Sequence, residues 1–347
     1  MKPTYAIPTM AEIRRIPWNG LKVVSTFSGC GGSSTGYKMA GCRVLGASEF
    51  IPVAAETYRA NHPDTYLDTN DIRTLQADKF MDAMNLQPGT LDILDGSPPC
   101  SSYSTAGKTS EGWGKAKLYS GSVKQRTDDL FDEFLRLLAA IQPRAFVVEN
   151  VAGLVRGVSR GVFSEVISAM RAAGYRVACR VLDAQWLGVP QRRARTIFIG
   201  LRTDLGVAPQ HPKPFPHRYT LAEALDCDAG DTSDASIDRF AIGREWERLG
   251  RPGTQSDKYF SLVRPRLDEP CPTFTAVRHG AAKVVHPTEK RGFTINELKR
   301  IAGFPADYVF TGTYDEQQER IGRAVPPLMM KAIALSVAAQ LKESNHV

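Results

Sequence analysis

Short apolar runs alternate with stretches of helical period over the first two-thirds of the chain. Leu21 to Phe27, Arg43 to Ser48, Leu91 to Asp95, Ala145 to Glu149, Tyr175 to Leu182 and Thr196 to Leu201 have the length and apolar density of buried strands. Between them, Ser34 to Ala40, Ile51 to Asn61, Asp128 to Ile141 and Val162 to Ala173 carry apolar residues at helical spacing. This alternation predicts an α/β fold, a mixed and mostly parallel sheet with helices on both faces. After Leu201 the pattern breaks. Residues 202 to about 290 are rich in Pro, Gly, Asp and Arg with only short apolar stretches, which predicts a smaller, loop-rich domain. Helical period returns at Ile295 to Ile301 and Pro327 to Leu341. The expected division is residues 1–201, 202–312, and 313–347, the last a helix returning to the first domain. No repeat of solenoid length is present.

Composition narrows the class. The 347 residues are 42% hydrophobic, enough for a packed core, and suit a domain pair with one cleft. A formal charge of +7 favours a polyanionic partner without requiring one. Cys30, Cys42, Cys100, Cys179, Cys227 and Cys271 form no C-x-x-C pair, and His211, His217, His279 and His286 do not join them at zinc spacing. No disulfide framework and no metal are expected. The first twenty residues lack a signal-peptide core, and no apolar run reaches membrane-spanning length. The expectation is a reduced, cytoplasmic monomer with no membrane association.

Candidate chemistry sits at the strand ends. In VVSTFSGCGGSSTGY, Gly29, Gly31 and Gly32 lie between a strand and a helix, where the backbone can approach a ligand and helix N–H groups face an anion. About twenty residues on, Glu49 ends the second strand, placed for ribose hydroxyls, and Asp71 follows where a third strand would end. A nucleoside-containing cofactor fits, with NAD and S-adenosylmethionine both open at this point. LDILDGSPPCSSYS then holds Cys100 behind the rigid Pro98-Pro99 pair at a strand's carboxyl end, the place of a nucleophile rather than of a packing cysteine. Ser101 to Thr127 is long, lacks apolar period, and sets Lys108, Lys115, Lys117, Lys124 and Arg126 against Glu111 alone. It is either a solvated loop or a phosphate-facing lid. PRAFVVENVAG ends a strand with Glu149 and Asn150, an ion-pair partner or an acid for a ring nitrogen. WLGVPQRRARTIFIG offers Gln191, Arg193 and Arg195 alternating into a strand, the two arginines on one face as a basic edge or as phosphate and base contacts.

The ordered set FSGCGG, Glu49-Phe50, Asp71-Ile72, PPC, ENV, QRRAR, RGFTINELKRIAGFPADY and GRAVPP resembles the DNA (cytosine-5) methyltransferases over nearly the whole chain. The resemblance implies a Rossmann-like S-adenosylmethionine-dependent catalytic domain at 1–201 and target recognition at 202–312. It implies double-stranded DNA as partner, in a bacterial or phage-infected cell. Phe27, Glu49, Phe50, Asp71 and Pro99 would line the cofactor pocket with Gly29, Gly31, Gly32, Ile72 and Val325. Cys100 would attack carbon 6 of a cytosine swung out of the helix, Glu149 would contact N3 and the exocyclic amine, and Arg193 and Arg195 would steady the base. Gln191, Arg264, Arg278, Lys108, Lys115, Lys117 and Arg126 are the candidate DNA contacts, with Arg266 and Lys283 beside them. An RNA cytosine-5 methyltransferase is an alternative, since one branch of the family modifies tRNA.

Four positions depart from the family's pattern. Ser25 stands where Asp is common, and Ser101 and Tyr103 replace the usual Gln and Phe. Arg323 replaces the Asn of Gly-Asn-Ala-Val-Pro, beside the donor end of the pocket. It would point outward to a DNA phosphate or an acid such as Asp315, pair with the donor's amino-acid carboxylate, or grip a carboxylate on the transferred carbon. The last case implies carboxy-S-adenosylmethionine as donor and 5-carboxymethylcytosine as product.

Overall fold

The computed structural model describes residues 2–99, 117–119, 123–125, 129–155, 160–238, 240–259, 262–274 and 284–344. Cys100, Ser101, Tyr103, Lys108, Lys115, Arg126, Arg278 and Lys283 lie outside the described residues. The chain divides into two compact units. The first, a sheet unit, takes Ile16–Leu182, Ala194–Lys213 and Met330–Val347; the second, loop-rich, takes Met1–Arg15, Asp183–Arg193 and Pro214–Met329. These bounds differ from the linear cuts expected at 201 and 312. The N-terminal segment joins the loop-rich unit because the Tyr5 hydroxyl donates to Arg300 O (2.5 Å) and Met10 N donates to the Asp307 carboxylate (2.9 Å).

In the sheet unit, β1 (Lys22–Thr26), β2 (Arg43–Ser48), β3 (Tyr66–Asp68), β4 (Ile93–Gly96), β5 (Ala145–Val151), β6 (Tyr175–Asp183) and β7 (Ala194–Arg202) form one sheet in the order β3-β2-β1-β4-β5-β7-β6. β1 to β5 pair in parallel where they neighbour, and β7 runs antiparallel to β5. The expected strands are present within a few residues at each end, and β3 is the strand expected before Asp71, ending three residues short of it. The helices α1 (Gly32–Met39), α2 (Pro52–Asn61), α3 (Leu130–Ile141) and α4 (Arg160–Ala172) follow the expected spans within two residues. One face of the sheet, through Val24, Leu94, Phe146, Val148 and Phe198, packs on Phe134, Leu137, Leu138 and Ile141 of α3. That apolar layer explains why α3 forms: its apolar residues recur three and four apart. Gly96 ends β4 without a side chain because a Cβ there would lie 2.6 Å from the Phe134 ring.

The loop-rich unit has short elements, as its composition requires. Its helices include Leu221–Leu225, Ala241–Leu249, Ile295–Ala302 and Tyr314–Arg323, and the second of them helps form a small cluster of Ile237, Ile242, Leu249, Leu262 and Val285. Capping boxes start three of them, at Thr220, Thr294 and Thr313.

Candidate active site

The strand order reverses between β1 and β4, and the segments that leave the carboxyl ends of β1, β2, β4 and β5 are those singled out in the sequence. Open α/β sheets bind ligands outside such a reversal. After β1 the backbone takes positive φ at Phe27 (53°), Gly29 (54°) and Gly31 (90°), so it folds sharply before α1. Gly31 caps α1 with no side-chain bond, and a Cβ on Gly29 would meet nothing within 4 Å. Open space thus lies against a bare helix start, which suits a ligand that approaches backbone N–H groups. Glu49, 8% exposed, accepts from Gly29 N (2.8 Å) and Ile51 N (2.7 Å), joining the ends of β1 and β2. Asp71 caps the short turn Ile72–Thr74 and pairs with Arg73 (3.0 Å), which also reaches Asp129 at 2.6 Å. These residues fit an adenosine-containing cofactor: one bonded carboxylate beside a glycine turn, and a second at the next strand end.

After β4, Ser97 N donates to Thr26 O (3.4 Å) and Asn150 Nδ2 donates to Pro98 O (3.2 Å). The start of the Pro98-Pro99-Cys100 segment is therefore held from both flanking strands. At the end of β5, Glu149 is buried and its Oε1 lies 2.7 Å from Arg195 Nε. Because β7 runs antiparallel to β5, its first residues arrive at the same sheet edge, which brings Arg195 to Glu149.

Sequence reasoning missed one buried acid. Asp95, on β4 and 1% exposed, accepts from Ser25 Oγ (2.8 Å) and Tyr37 OH (3.3 Å). Burial pushes its carboxyl up to about 7; the Ser25, Tyr37 and Ser33 hydroxyls oppose that, and nearby Glu149 adds to it. The signal was a charged residue inside an otherwise apolar parallel strand.

In the loop-rich unit three residues expected to contact the base or DNA are buried, and two of them bond carbonyls of their own unit. Arg193 lies before β7 rather than alternating into it, is 2% exposed, and donates from one Nη to both Gly322 O and Ala324 O (2.9 Å each). Those carbonyls end the helix Tyr314–Arg323, where a cation meets the negative end of the helix dipole. Arg264, expected on DNA, is 6% exposed, donates to Pro287 O (2.7 Å) and Gly250 O (2.8 Å), and stacks on Trp246. Gln191 is 1% exposed and sits in an isolated bridge with Cys271. Arg193 and Arg264 are drawn inward because the irregular backbone of this unit leaves carbonyls that side chains satisfy. Arg266 remains at the surface, paired with Asp268 (2.5 Å). Arg323 is exposed and pairs with Glu319 one turn earlier (2.6 Å); Val325 and Ile72 are buried.

Arg193→Met is expected to lower stability by about 2 kcal/mol, because a buried and a half-buried carbonyl lose a charged donor. Thermal unfolding checks this. An unchanged melting temperature with weakened DNA binding would move Arg193 from the fold to the DNA.

The sequence profile of the C-5 cytosine-specific DNA methylases matches residues 21–339. The chain is 33% identical over 338 residues to the type II methyltransferase M1.HphI of Haemophilus parahaemolyticus, covering 91% of this chain and 86% of that one. It is 30% identical to M.Sau96I of Staphylococcus aureus, covering 93% and 77%. Among solved structures, a putative DNA modification methyltransferase encoded within an E. coli prophage superposes with a TM-score of 0.74 at 22% identity, covering 93% of this chain and all of that one. A Spodoptera frugiperda DNMT2 variant gives 0.68 at 17%, covering 92% and 100%.

Proposed function

The chain belongs to the C-5 cytosine-specific DNA methylases, and on that premise we propose that Cys100 is the nucleophile, Glu149 the acid for the base, and the turn from Phe27 to Gly32 with Glu49 and Asp71 the cradle for S-adenosylmethionine. The observation that carries this is the convergence of the turn, the Pro98-Pro99 segment and the Glu149–Arg195 pair on one sheet edge beside the reversal of strand order.

Carbon 5 of cytosine is too weak a nucleophile to be alkylated directly. When bound, the donor supplies an electrophilic methyl group on a sulfonium. The Cys100 thiol loses its proton and bonds carbon 6, which makes carbon 5 electron-rich. Glu149 hydrogen-bonds N3 and offsets the charge that gathers on the ring. Carbon 5 would take the methyl group as the S–CH3 bond breaks and that bond's electron pair stays on sulfur as a neutral thioether. Carbon 5 then loses its proton to water, and the returning electron pair expels Cys100 as thiolate. Stacking shields carbon 6 in a duplex, so the base is extruded at a cost of a few kcal/mol. The basic segment 101–127 supplies phosphate contacts that offset it. The relatives' type II names suggest the setting of a restriction–modification system.

A second reading rests on Arg323. Its side chain is 40% exposed in a pair with the half-buried Glu319. Carboxy-S-adenosylmethionine would require it to exchange Glu319 for a donor carboxylate. Mass spectrometry of nucleosides from duplex DNA incubated with each donor separates the readings. 5-Methylcytosine from S-adenosylmethionine, with donor preference unchanged in Arg323→Asn, is the expected result. 5-Carboxymethylcytosine that disappears in Arg323→Asn would establish the second reading in place of the first, and modification of tRNA but not DNA would overturn both.

A further inference from the structure

We propose that Asp95 is a positioning residue for the donor, clamping both ends of the glycine turn and tying that turn to the strand that leads to Cys100. This rests on the reading of the turn as the donor's cradle. Ser25 precedes the turn and its hydroxyl donates to the carboxylate (2.8 Å), while Ser33, which follows the turn, helps to hold the carboxyl's pKa down. Tyr37, one helical turn further along α1, bonds the same group (3.3 Å). The tie is also made by backbone, since Thr26 Oγ1 donates to Asp95 O (3.0 Å). Ser25 and Asp95 are direct partners in the β1–β4 register, so the clamp spans the strand pair at which the order reverses. An ordinary packing position there would hold an apolar side chain. A buried carboxylate is costly to keep, and its cost is offset by the hydroxyls that it gathers from β1 and α1.

The clamp has a direction in pH. Ionised, Asp95 accepts from the Ser25 and Tyr37 hydroxyls. Protonated, it must donate one bond, so one hydroxyl loses its acceptor. The groups that face it are Ser25 from β1, Ser33 and Tyr37 from α1, Tyr58 from α2 and Glu149 from β5, with Arg195 beyond Glu149. Burial pushes both tyrosines far above their ordinary range, so they stay neutral. Asp95 itself changes charge near pH 7, so the clamp is complete above that pH and loosened below it.

The test is equilibrium binding of S-adenosylmethionine to the full chain without DNA, between about pH 5.5 and 8.5, for wild type and Asp95→Asn. The donor's own α-amino group titrates near about 8, so the wild-type to variant ratio is the readout. Wild type is expected to bind about tenfold tighter at pH 8, the scale of one charged hydrogen bond, with the ratio falling toward one by pH 6. Thermal unfolding guards against a folding artefact. A carboxyl raised to about 7 in the folded chain contributes stability below its unfolded value of about 3.9 and loses it as pH rises through 7. Asparagine has no such loss, so Asp95→Asn should be at least as stable as wild type at pH 8 while it binds the donor less tightly. A ratio of one at pH 8, or a ratio flat across the range, would overturn the clamp and leave the cradle standing. Failure of wild type to bind the donor at any pH would overturn the cradle, and the clamp with it.

Discussion

Cys100→Ser is expected to lower transfer to carbon 5 by about 10³-fold or more while donor and DNA binding stay near wild type. A serine hydroxyl is far harder to ionise than a thiol and is a poorer nucleophile toward carbon 6, and nothing else in the Pro98-Pro99-Cys100 segment replaces it. Without the bond to carbon 6, carbon 5 never becomes electron-rich, so a well-placed donor gains the reaction little. A second measurement isolates the covalent step. DNA with 5-fluorocytosine at the target carries no removable proton on carbon 5, so the wild-type adduct cannot collapse and survives denaturing electrophoresis. Cys100→Ser should give no such band. Transfer by the serine variant within tenfold of wild type would remove covalent catalysis from the account, and so would a wild type that never traps on the fluorinated DNA.

The elements that carry this chemistry were legible where burial leaves a simple pattern. β1, β4 and β5 are apolar runs because both faces of a parallel sheet are covered, and the turn after β1 is marked by its glycines. β3 was legible only as a strand due to end near Asp71, without bounds: it is three residues long, and its first, Tyr66, is 42% exposed at the sheet edge. The helix Tyr314–Arg323 is mostly polar and shows little apolar period, yet Thr313 with Glu316 three residues later is a capping-box signature that announces it. The arginines were the hardest to assign. Arg193 and Arg195 sit two apart in QRRAR, and residue type alone cannot separate a guanidinium bonded to helix-end carbonyls from one paired with Glu149. Their roles depend on which backbone folds over them. Ser25 was visible as a departure, and Asp95 as a charge within an apolar strand, but only the register of β1 on β4 makes the two departures one feature.

Glu149→Ala is expected to slow transfer by about 10²–10⁴-fold, the range of a positioned acid, with Glu149→Gln falling between it and wild type. As Cys100 adds to carbon 6, electron density moves onto N3, and a carboxylic acid there can donate to N3 while it accepts from the exocyclic amine. A glutamine amide presents the same donor and acceptor but gives up no proton, so it keeps the orientation of the base and loses part of the stabilisation. Alanine loses both. Alanine also leaves Arg195, whose side chain is only 15% exposed, without its carboxylate, which adds a stability cost that glutamine reduces by keeping an acceptor. Melting temperatures of the two variants therefore separate the structural share from the chemical one, and single-turnover rates on a duplex substrate give the latter. The graded order of wild type, glutamine, alanine in rate, at nearly equal donor affinity, is what an acid directed at the base requires. Equal rates for glutamine and wild type would reduce Glu149 to a hydrogen-bonding group, and an alanine variant within threefold of wild type would leave Arg195 as the residue that holds the base.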